Sequence, residues 1–258
     1  MMRESLFTRA TSSARVRFTR NVKFNAFRSH LSEPMVSFTF DDVPRSAFHE
    51  GGRILREMGW TGSYYVAGSF CGRRVEGIDY MDRDDLIQAD QEGHEIGCHT
   101  YSHLRLPIAS SSAIRDDLKR NEDFMREVLP QHKSSSFAYP FGDLDIRSKA
   151  LLARKFPICR GIWEGVNQAR IDFAQLKSVG LERRSFDERA IEFWLDRTIA
   201  CNGWLIFFTH DISDDPSPYG CFTDAFAKLA ENVARRGLRV LPVKNVAGLA
   251  AAPRDTIQ

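Results

Sequence analysis

The first regular segment of the chain reads Met35-Val36-Ser37-Phe38-Thr39-Phe40-Asp41-Asp42. Its first six residues are rich in aromatic and β-branched side chains, which predicts a short buried β-strand. Two carboxylates follow without a spacer, and successive side chains at the end of a strand point in different directions. The segment therefore predicts a core strand that ends in two acidic groups with different roles.

The same alternation of short apolar runs and longer helical stretches continues along the chain. The predicted strands cover residues 35–40, 63–66, 95–98, 135–139, 157–161, 204–209 and 238–241. The predicted helices cover residues 47–58, 82–91, 112–128, 146–155, 186–200 and 224–236. This order predicts a parallel α/β architecture, and the number of strands favours an irregular barrel over an open sheet.

Length and composition suit a single globular domain. The chain has 258 residues, of which 43% are hydrophobic and 27% are charged. A net charge of +2 is too small to indicate nucleic acid as the main partner. No apolar run approaches the ~20 residues that cross a bilayer, so we expect no membrane span.

Residues 1–33 are predicted to form a basic arm that precedes a domain of residues 34–258. Basic side chains interrupt the arm throughout: Arg3, Arg9, Arg15, Arg17, Arg20 and Lys23. A secretory signal requires an apolar stretch of roughly 7–15 residues, which this segment does not contain. We therefore expect a cytoplasmic protein, although an Arg- and Ser-rich leader is also compatible with an organelle transit peptide.

The cysteines indicate neither a disulfide framework nor a cysteine-based zinc site. There are five, widely spaced and without a CxxC pair: Cys71, Cys98, Cys159, Cys201 and Cys221. Cys98 stands beside His99 and is a conceivable nucleophile. The metal-type residues nearby explain this region better, so we interpret Cys98 as a small buried hydrophobe.

Polar groups follow four of the predicted strands. They are Asp41 and Asp42, His99 and His103, Tyr139-Pro140-Phe141-Gly142, and His210 with Asp211. In α/β barrels the functional residues lie on the loops at the carboxyl ends of the strands. The sequence therefore predicts one site, to which four loops contribute.

His99 and His103 are four residues apart in the segment His99-Thr100-Tyr101-Ser102-His103. On a helical turn this spacing brings both imidazoles within reach of one ion. With Asp42 they provide two nitrogens and one oxygen, and they leave positions open for water and substrate, as in catalytic zinc sites. Taken alone, the two histidines also fit a solvated surface, and an aspartate pair also fits a helix cap.

His210 ends the most hydrophobic of the predicted strands. A titratable group in such a place needs either a partner or a function. An imidazole suits a general acid near neutral pH, and a core histidine bonded to the backbone is the alternative.

In their order along the chain, these motifs resemble those of the polysaccharide deacetylase family, carbohydrate esterase family four, which includes the nodulation-type chitooligosaccharide deacetylases. The matching segments are Thr39-Phe40-Asp41-Asp42, His99-Thr100-Tyr101-Ser102-His103, Tyr139-Pro140-Phe141-Gly142 and 205–211. The resemblance implies an irregular (β/α)7 barrel with one divalent ion. Zinc is the expected ion because imidazole and carboxylate ligands suit it.

The resemblance also implies a role for each residue. The metal ligands correspond to Asp42, His99 and His103. Asp41 corresponds to the catalytic base and His210 to the catalytic acid. The backbone N–H of Phe141 lies where the family supplies a donor to the oxyanion.

Two positions depart from the family pattern. The third motif of the family carries an arginine that orients the base, and here Ala138 occupies that region. The fourth motif couples an acidic residue to a tryptophan, and here the stretch reads Arg160-Gly161-Ile162-Trp163. Since a nearby cation keeps a carboxylate base ionised, we expect Arg160, which ends a predicted strand whose tip faces the same pocket, to replace the missing arginine. Arg45, just after Asp41 and Asp42, is the second candidate.

The predicted activity is the removal of acetyl groups from an N-acetylated or O-acetylated oligosaccharide or glycan precursor, by water that the metal ion activates. An acetylated carbohydrate is the expected partner. A barrel and a metal triad do not fix the leaving group, so hydrolysis of a non-sugar amide is the first alternative. A non-catalytic carbohydrate-binding relative is the second.

Overall fold

The computed structural model describes residues 18–252. Its strands are β1 Ala26–Arg28, β2 Met35–Asp41, β3 Ser63–Val66, β4 Arg74–Val75, β5 Ile78–Asp79, β6 Glu95–Cys98, β7 Ser136–Ala138, β8 Ile158–Arg160, β9 Arg170–Asp172, β10 Val179–Gly180, β11 Trp204–Thr209, β12 Ile212–Ser213, β13 Cys221–Phe222 and β14 Arg239–Val240. Its α-helices are α1 Arg53–Glu57, α2 Arg83–Gln91, α3 Ser111–Val128, α4 Ile146–Lys155, α5 Glu188–Ala200, α6 Thr223–Arg235 and α7 Val243–Ala251. A π-helical turn, Ala47–Gly52, leads into α1, and 3-10 turns lie at Gly68–Phe70 and Pro140–Gly142.

Parallel strands form one curled sheet in the order β10-β11-β2-β3-β6-β7-β8. The short strand β14 pairs with the beginning of β2, and β3 pairs with its end. The two ends of the sheet approach each other, because Leu176 bridges to Arg160 in β8 while the nearby β10 pairs with β11. The chain therefore folds as the irregular α/β barrel that the sequence predicts.

The predicted elements are largely confirmed, with two informative differences. Strand β10 was not predicted, because its two residues lie outside any apolar run. The helix predicted at 47–58 begins with a wider π-helical turn that contains Gly51 and Gly52. A Cβ on Gly51 would lie 3.0 Å from the Phe40 ring, so glycine lets this turn approach the sheet closely. Within residues 18–252, no helix is long and apolar enough to cross a membrane.

The chain joins the barrel before residue 34. Strand β1 pairs with β9 in an antiparallel arrangement. The buried ammonium of Lys149 donates to the Val22 carbonyl at 2.7 Å and forms an ion pair with Asp172 at 2.8 Å. Val22 and β1 therefore contact the barrel ahead of residue 34, the boundary predicted from the sequence. The rest of the predicted arm, residues 1–17, lies outside the described residues.

Strand β2 lies in the middle of the sheet and is buried along its whole length. The Phe38 ring contacts those of Phe207 and Phe226, with centroids 5.7 and 5.3 Å apart. The Phe40 ring stacks on that of Tyr64 at 4.8 Å. This packing on both neighbouring strands fixes where the two carboxylates that follow Phe40 can lie.

A buried carboxylate ties several elements together at the amino end of the barrel. Glu95 accepts hydrogen bonds from the hydroxyls of Ser63 and Ser136 at 2.7 and 2.6 Å. It also accepts the Lys244 N–H at 2.8 Å, in the first turn of α7. Charge-assisted bonds of this kind are stronger than neutral ones, so Glu95 connects β3, β6, β7 and α7.

We expect Glu95→Ala to lower the free energy of unfolding by about 3 kcal/mol, because it leaves several buried donors without an acceptor. The measurement is chemical denaturation at neutral pH. The matched control is Glu127→Ala, which removes an exposed carboxylate that pairs with Arg83 and should leave the denaturation midpoint unchanged. If the two variants unfold at the same midpoint, the proposed role of Glu95 is incorrect.

Candidate active site

The loops selected from the sequence meet at the carboxyl edge of the barrel. Asp42 follows β2, His99 follows β6, and His210 follows β11. The His210 Nε2 atom lies 3.9 Å from Asp42 Oδ2. The centroids of the Phe141 and His103 rings are 4.2 Å apart. The structure therefore brings the four loops together at one site.

Asp42, His99 and His103 form a cluster that can hold a metal ion. One ligand atom from each lies within 4.8 Å of the other two. The Nε2 atoms of His99 and His103 are 3.6 and 3.5 Å from Asp42 Oδ1, too far for hydrogen bonds. Ligands of a tetrahedral ion, bound at ~2.0–2.1 Å, stand roughly 3.4 Å apart. Asp42 Oδ1 is also buried without a hydrogen-bond partner, so the cluster fits a divalent cation.

The imidazoles are in the form that binds metals. Nδ1 of His99 donates to the Ala138 carbonyl at 2.8 Å, which leaves the lone pair of Nε2 free. Burial lowers the pKa of His99. Burial and the neighbouring His99 lower the pKa of His103 to about 4. Because metal ions bind the neutral imidazole, protons compete only weakly for these ligands at neutral pH.

The backbone of the site loops is strained. Among residues 18–252, eight non-glycine residues have positive φ, and five of them lie in these loops: Asp42, Val43, Thr100, His103 and Phe141. The left-handed conformation costs an L-residue roughly 1 kcal/mol, and it is least suited to β-branched Val43 and Thr100. Strain that collects in this way is a feature of functional sites, where the surroundings hold the loops in place.

The turn that carries His99 and His103 is held from outside by Asp117 in α3. One Asp117 oxygen accepts the N–H groups of Tyr101 and Ser102 at 2.7 and 3.1 Å, and the other accepts the Ser102 hydroxyl at 2.7 Å. Asp117 was not among the site residues predicted from the sequence. The only signal was a carboxylate on the buried face of a predicted amphipathic helix.

The second carboxylate, Asp41, is buried against an arginine. The Arg160 guanidinium forms a hydrogen-bonded ion pair with Asp41 Oδ1. Arg160 is completely buried and lies 5.2 Å from the ring centroids of both Tyr65 and Phe208. A guanidinium that is held between two rings has little freedom, so it fixes the position of the carboxylate.

Ala138 in β7, where the resemblance implies an arginine, and Arg160 in β8 are direct partners in the sheet register. Arg160 therefore lies at the same level of the barrel as Ala138. Arg45, the other predicted cation, lies elsewhere, and its Nε atom is 2.9 Å from Asp85 in α2.

The charge environment keeps Asp41 ionised. Burial by itself raises the pKa of Asp41, but the Arg160 charge, with smaller effects from His99 and His210, outweighs burial. The pKa of Asp41 is consequently below its ordinary value. A carboxylate in this state accepts a proton only from a strongly acidified donor, such as a metal-activated water.

His210 and Asp211 lie at the end of β11 and have different surroundings. The Nδ1–H of His210 donates to the Tyr219 carbonyl at 3.2 Å, so Nε2 faces the site. The Asp211 carboxylate accepts the N–H and the hydroxyl of Ser217 at 2.7 and 2.6 Å. Asp211 therefore shapes the loop after β11, while His210 is available for proton transfer.

Phe141 lies in a tight turn after β7. The Gly142 N–H donates to the Tyr139 carbonyl at 2.9 Å, and Phe141 between them has a φ of 60°. No acceptor within residues 18–252 takes the Phe141 N–H. That N–H is therefore available to an anion beside the His103 ring.

Comparisons with known proteins agree with this geometry. The sequence profile described as Polysaccharide deacetylase matches residues 28–156, half of the chain. A chitin deacetylase of Arthroderma benhamiae is 28% identical over 123 residues, 47% of this chain and 32% of its own length. Chitin deacetylase 2 of Saccharomyces cerevisiae is 27% identical over 130 residues, 50% of this chain and 37% of its own length. The chain thus spans about a third of the length of these relatives.

Solved structures share the barrel. A family 4 carbohydrate esterase from Bacillus anthracis is 15% identical, with a TM-score of 0.61 over 96% of this chain and 95% of that one. The Bc1960 peptidoglycan N-acetylglucosamine deacetylase is 14% identical, with a TM-score of 0.61 over 88% and 94%. A pseudoenzyme from Bacillus anthracis, BA3943, is 15% identical, with a TM-score of 0.58 over 88% and 69%. At these identities the likeness establishes the fold.

We expect the two neighbouring aspartates to differ in metal binding. Purified protein should carry about one divalent ion per chain, and Asp42→Asn and His103→Ala should lose most of it. Asp41→Asn should keep the ion, because Asp41 is bonded to Arg160. The measurement is elemental analysis after dialysis, with circular dichroism to verify folding. Equal metal loss in Asp41→Asn and Asp42→Asn would contradict the assignment.

Proposed function

The chain belongs to the polysaccharide deacetylase family, and on that premise we propose that it is a metal-dependent hydrolase that removes acetyl groups from an N-acetylated or O-acetylated carbohydrate. The proposal depends mainly on one observation. A carboxylate that Arg160 keeps ionised lies next in the chain to Asp42, whose buried Oδ1 has no partner but faces two neutral imidazoles. This arrangement provides a base and a divalent-ion site side by side.

Asp42, His99 and His103 would hold a divalent ion, which would polarise a carbonyl and acidify water. Asp41 accepts the proton of the attacking water, and Arg160 holds this carboxylate in place throughout. The Phe141 N–H donates to the oxygen that becomes negative when the carbonyl is attacked.

The leaving group requires a proton from the other side of the site. His210, as imidazolium, donates it from Nε2 to the amine nitrogen, while its Nδ1–H remains on the Tyr219 carbonyl. The acetyl C–N bond breaks, and acetate and a free amine leave. Asp41 returns its proton to solvent, and His210 takes one up, which completes the cycle.

Exposed rings beside the site support a carbohydrate substrate. Phe141 is 50% exposed next to His103, and Tyr219 is 48% exposed next to His210. Aromatic faces of this kind suit the apolar face of a sugar ring. The names of the curated relatives, which are chitin deacetylases, agree with an N-acetylated sugar polymer or oligomer as substrate.

The direct test is the release of acetate from a panel of N-acetylglucosamine oligomers and O-acetylated sugars, measured by mass spectrometry. We expect turnover in the presence of zinc, and loss of turnover by roughly 10²–10⁴-fold in Asp41→Asn. Activity on small cyclic amides or ureides alone would favour the non-sugar alternative. Metal and sugar binding without turnover would place the chain with the non-catalytic relatives.

Removal of Arg160 should change the pH profile. In Arg160→Met, burial of Asp41 is opposed only by the smaller effects of His99 and His210, so its pKa rises and the base is protonated over a wider acid range. We expect the acid limb of kcat/KM to move up by about 1–3 pH units. Arg45→Met is the control and should keep the original limb. If the acid limb of kcat/KM lies at the same pH in Arg160→Met and in the unsubstituted protein, Arg160 does not keep Asp41 ionised.

The role of His210 is tested by the leaving group. An amine leaves poorly unless it is protonated, whereas a phenolate leaves readily. His210→Ala should therefore lose amide deacetylation by about 10²-fold and keep much of its activity on an activated acetate ester. His132→Ala, which removes a half-buried histidine outside the site, should change neither. Equal loss on both substrates, with metal retained, would contradict a role as acid.

A further inference from the structure

An open groove of about 880 Å³ lies behind the candidate metal centre. Its walls are the loop after β3, the beginning of α2 and one side of α3. The loop of residues 68–73 separates groove and metal centre. Phe70 faces the centre, with its ring 5.9 Å from that of His103, whereas Cys71 and Arg73 line the groove.

The groove also touches the turn that carries the metal-site histidines. Tyr101, which lies between His99 and His103 in the sequence, lines the groove. The Tyr101 carbonyl accepts the Ser69 N–H at 2.9 Å, so turn and loop form a continuous wall. A ligand in the groove would therefore bind on the reverse side of the same wall that holds the metal ligands.

Guanidinium groups dominate the chemistry of the groove. Arg120 lies over the Tyr101 ring at 4.3 Å, and Arg83 lies over the Phe124 ring at 5.6 Å. Arg73 is the third arginine and lines the groove from the loop after β3. Stacking on a ring fixes the plane of a guanidinium and leaves its N–H groups free to bind a carboxylate or phosphate with two parallel bonds.

The neighbouring carboxylates leave two of these cations without a close partner. Arg83 pairs with Glu127 at 3.0 Å. The nearest carboxylate of Arg120 is Asp117 at 3.9 Å, which already accepts hydrogen bonds from the 99–103 turn. Within residues 18–252, Arg73 has only the Ser69 carbonyl at 3.3 Å as a hydrogen-bond partner.

Two aspartates also line the groove, and neither removes its positive character. Asp82 caps α2, where it accepts the Asp85 N–H, and it lies 3.6 Å from Arg45. Asp84 is exposed in the first turn of α2. With Arg83 paired to Glu127 and Asp82 beside Arg45, the two arginines Arg73 and Arg120 remain against Asp84, and the groove keeps a positive charge.

We propose that this groove is a second binding site, for a ligand or substrate group that carries phosphate or carboxylate. Arg120 binds the anion from α3 and Arg73 binds it from the loop after β3, while the Tyr101 ring holds the Arg120 guanidinium in position. The ligand class is therefore a phosphorylated or acidic sugar or a compound of similar size. The site is distinct from the candidate metal centre, and it does not depend on acetyl hydrolysis.

Cys71 provides a reporter inside the groove. Burial raises the pKa of the Cys71 thiol to about 11, so alkylation is slow and is followed at mildly alkaline pH. Cys201 is half-buried outside the groove and serves as an internal control in the same molecule, whereas Cys98, Cys159 and Cys221 are buried. Mass spectrometry separates the rates at the two accessible thiols.

The probes are inorganic pyrophosphate and glucuronate, each compared with sodium chloride at the same ionic strength. We expect at least one of them to slow Cys71 alkylation by about tenfold once its concentration is well above its Kd, without changing the rate at Cys201. Protection by pyrophosphate alone identifies a phosphate site, and protection by glucuronate alone identifies a site for acidic sugars.

Arg120→Gln and Arg73→Gln should abolish the protection. Arg115→Gln, which removes an exposed arginine of α3 that does not line the groove, should retain it. Since Arg120 lies near Asp117, the metal content of each variant is measured to verify that the 99–103 turn is intact. If neither anion protects Cys71, or if Arg120→Gln and Arg73→Gln are protected as well as Arg115→Gln, the proposal is overturned.

Discussion

Two carboxylates that are neighbours in the chain, Asp41 and Asp42, are buried side by side at the end of the central strand. Two buried like charges repel each other, and each also loses the solvation that water would provide. Each must therefore have its own cation. Asp41 has Arg160, which is completely buried against it, and Asp42 faces imidazole nitrogens at distances that fit a shared divalent ion. The rest of the site follows from this division.

The surrounding residues hold each of the two carboxylates against a different partner. Tyr65 and Phe208 hold the Arg160 guanidinium between their rings. Asp117 holds the histidine turn from the outside, and the Ala138 carbonyl orients His99. The backbone of the site loops keeps its strained conformation because these contacts stabilise it by more than the strain costs. The chemistry we propose depends on these supports as much as on the ligands themselves.

The sequence predicted the site better than it predicted the supports of the site. The apolar runs indicated where the strands lie. In a barrel of parallel strands, the residues directly after each strand lie at the same edge, so the convergence of Asp42, His99 and His210 could be predicted. Arg160 was preferred to Arg45 because it ends a predicted strand, but its pairing with Ala138 depends on the sheet register, which the sequence does not reveal. Asp117 was missed for a similar reason: its contacts cross from a helix to a loop, and no local pattern encodes them.

We propose that Asp42 binds a metal ion while Asp41 remains bonded to Arg160. The most direct measurement is an anomalous difference map from crystals of the protein grown with zinc. We expect one strong peak bonded to Asp42 Oδ1 and to the Nε2 atoms of His99 and His103, with Asp41 outside the coordination sphere. A peak bonded to Asp41, or a zinc-saturated crystal without a peak at this cluster, would contradict it.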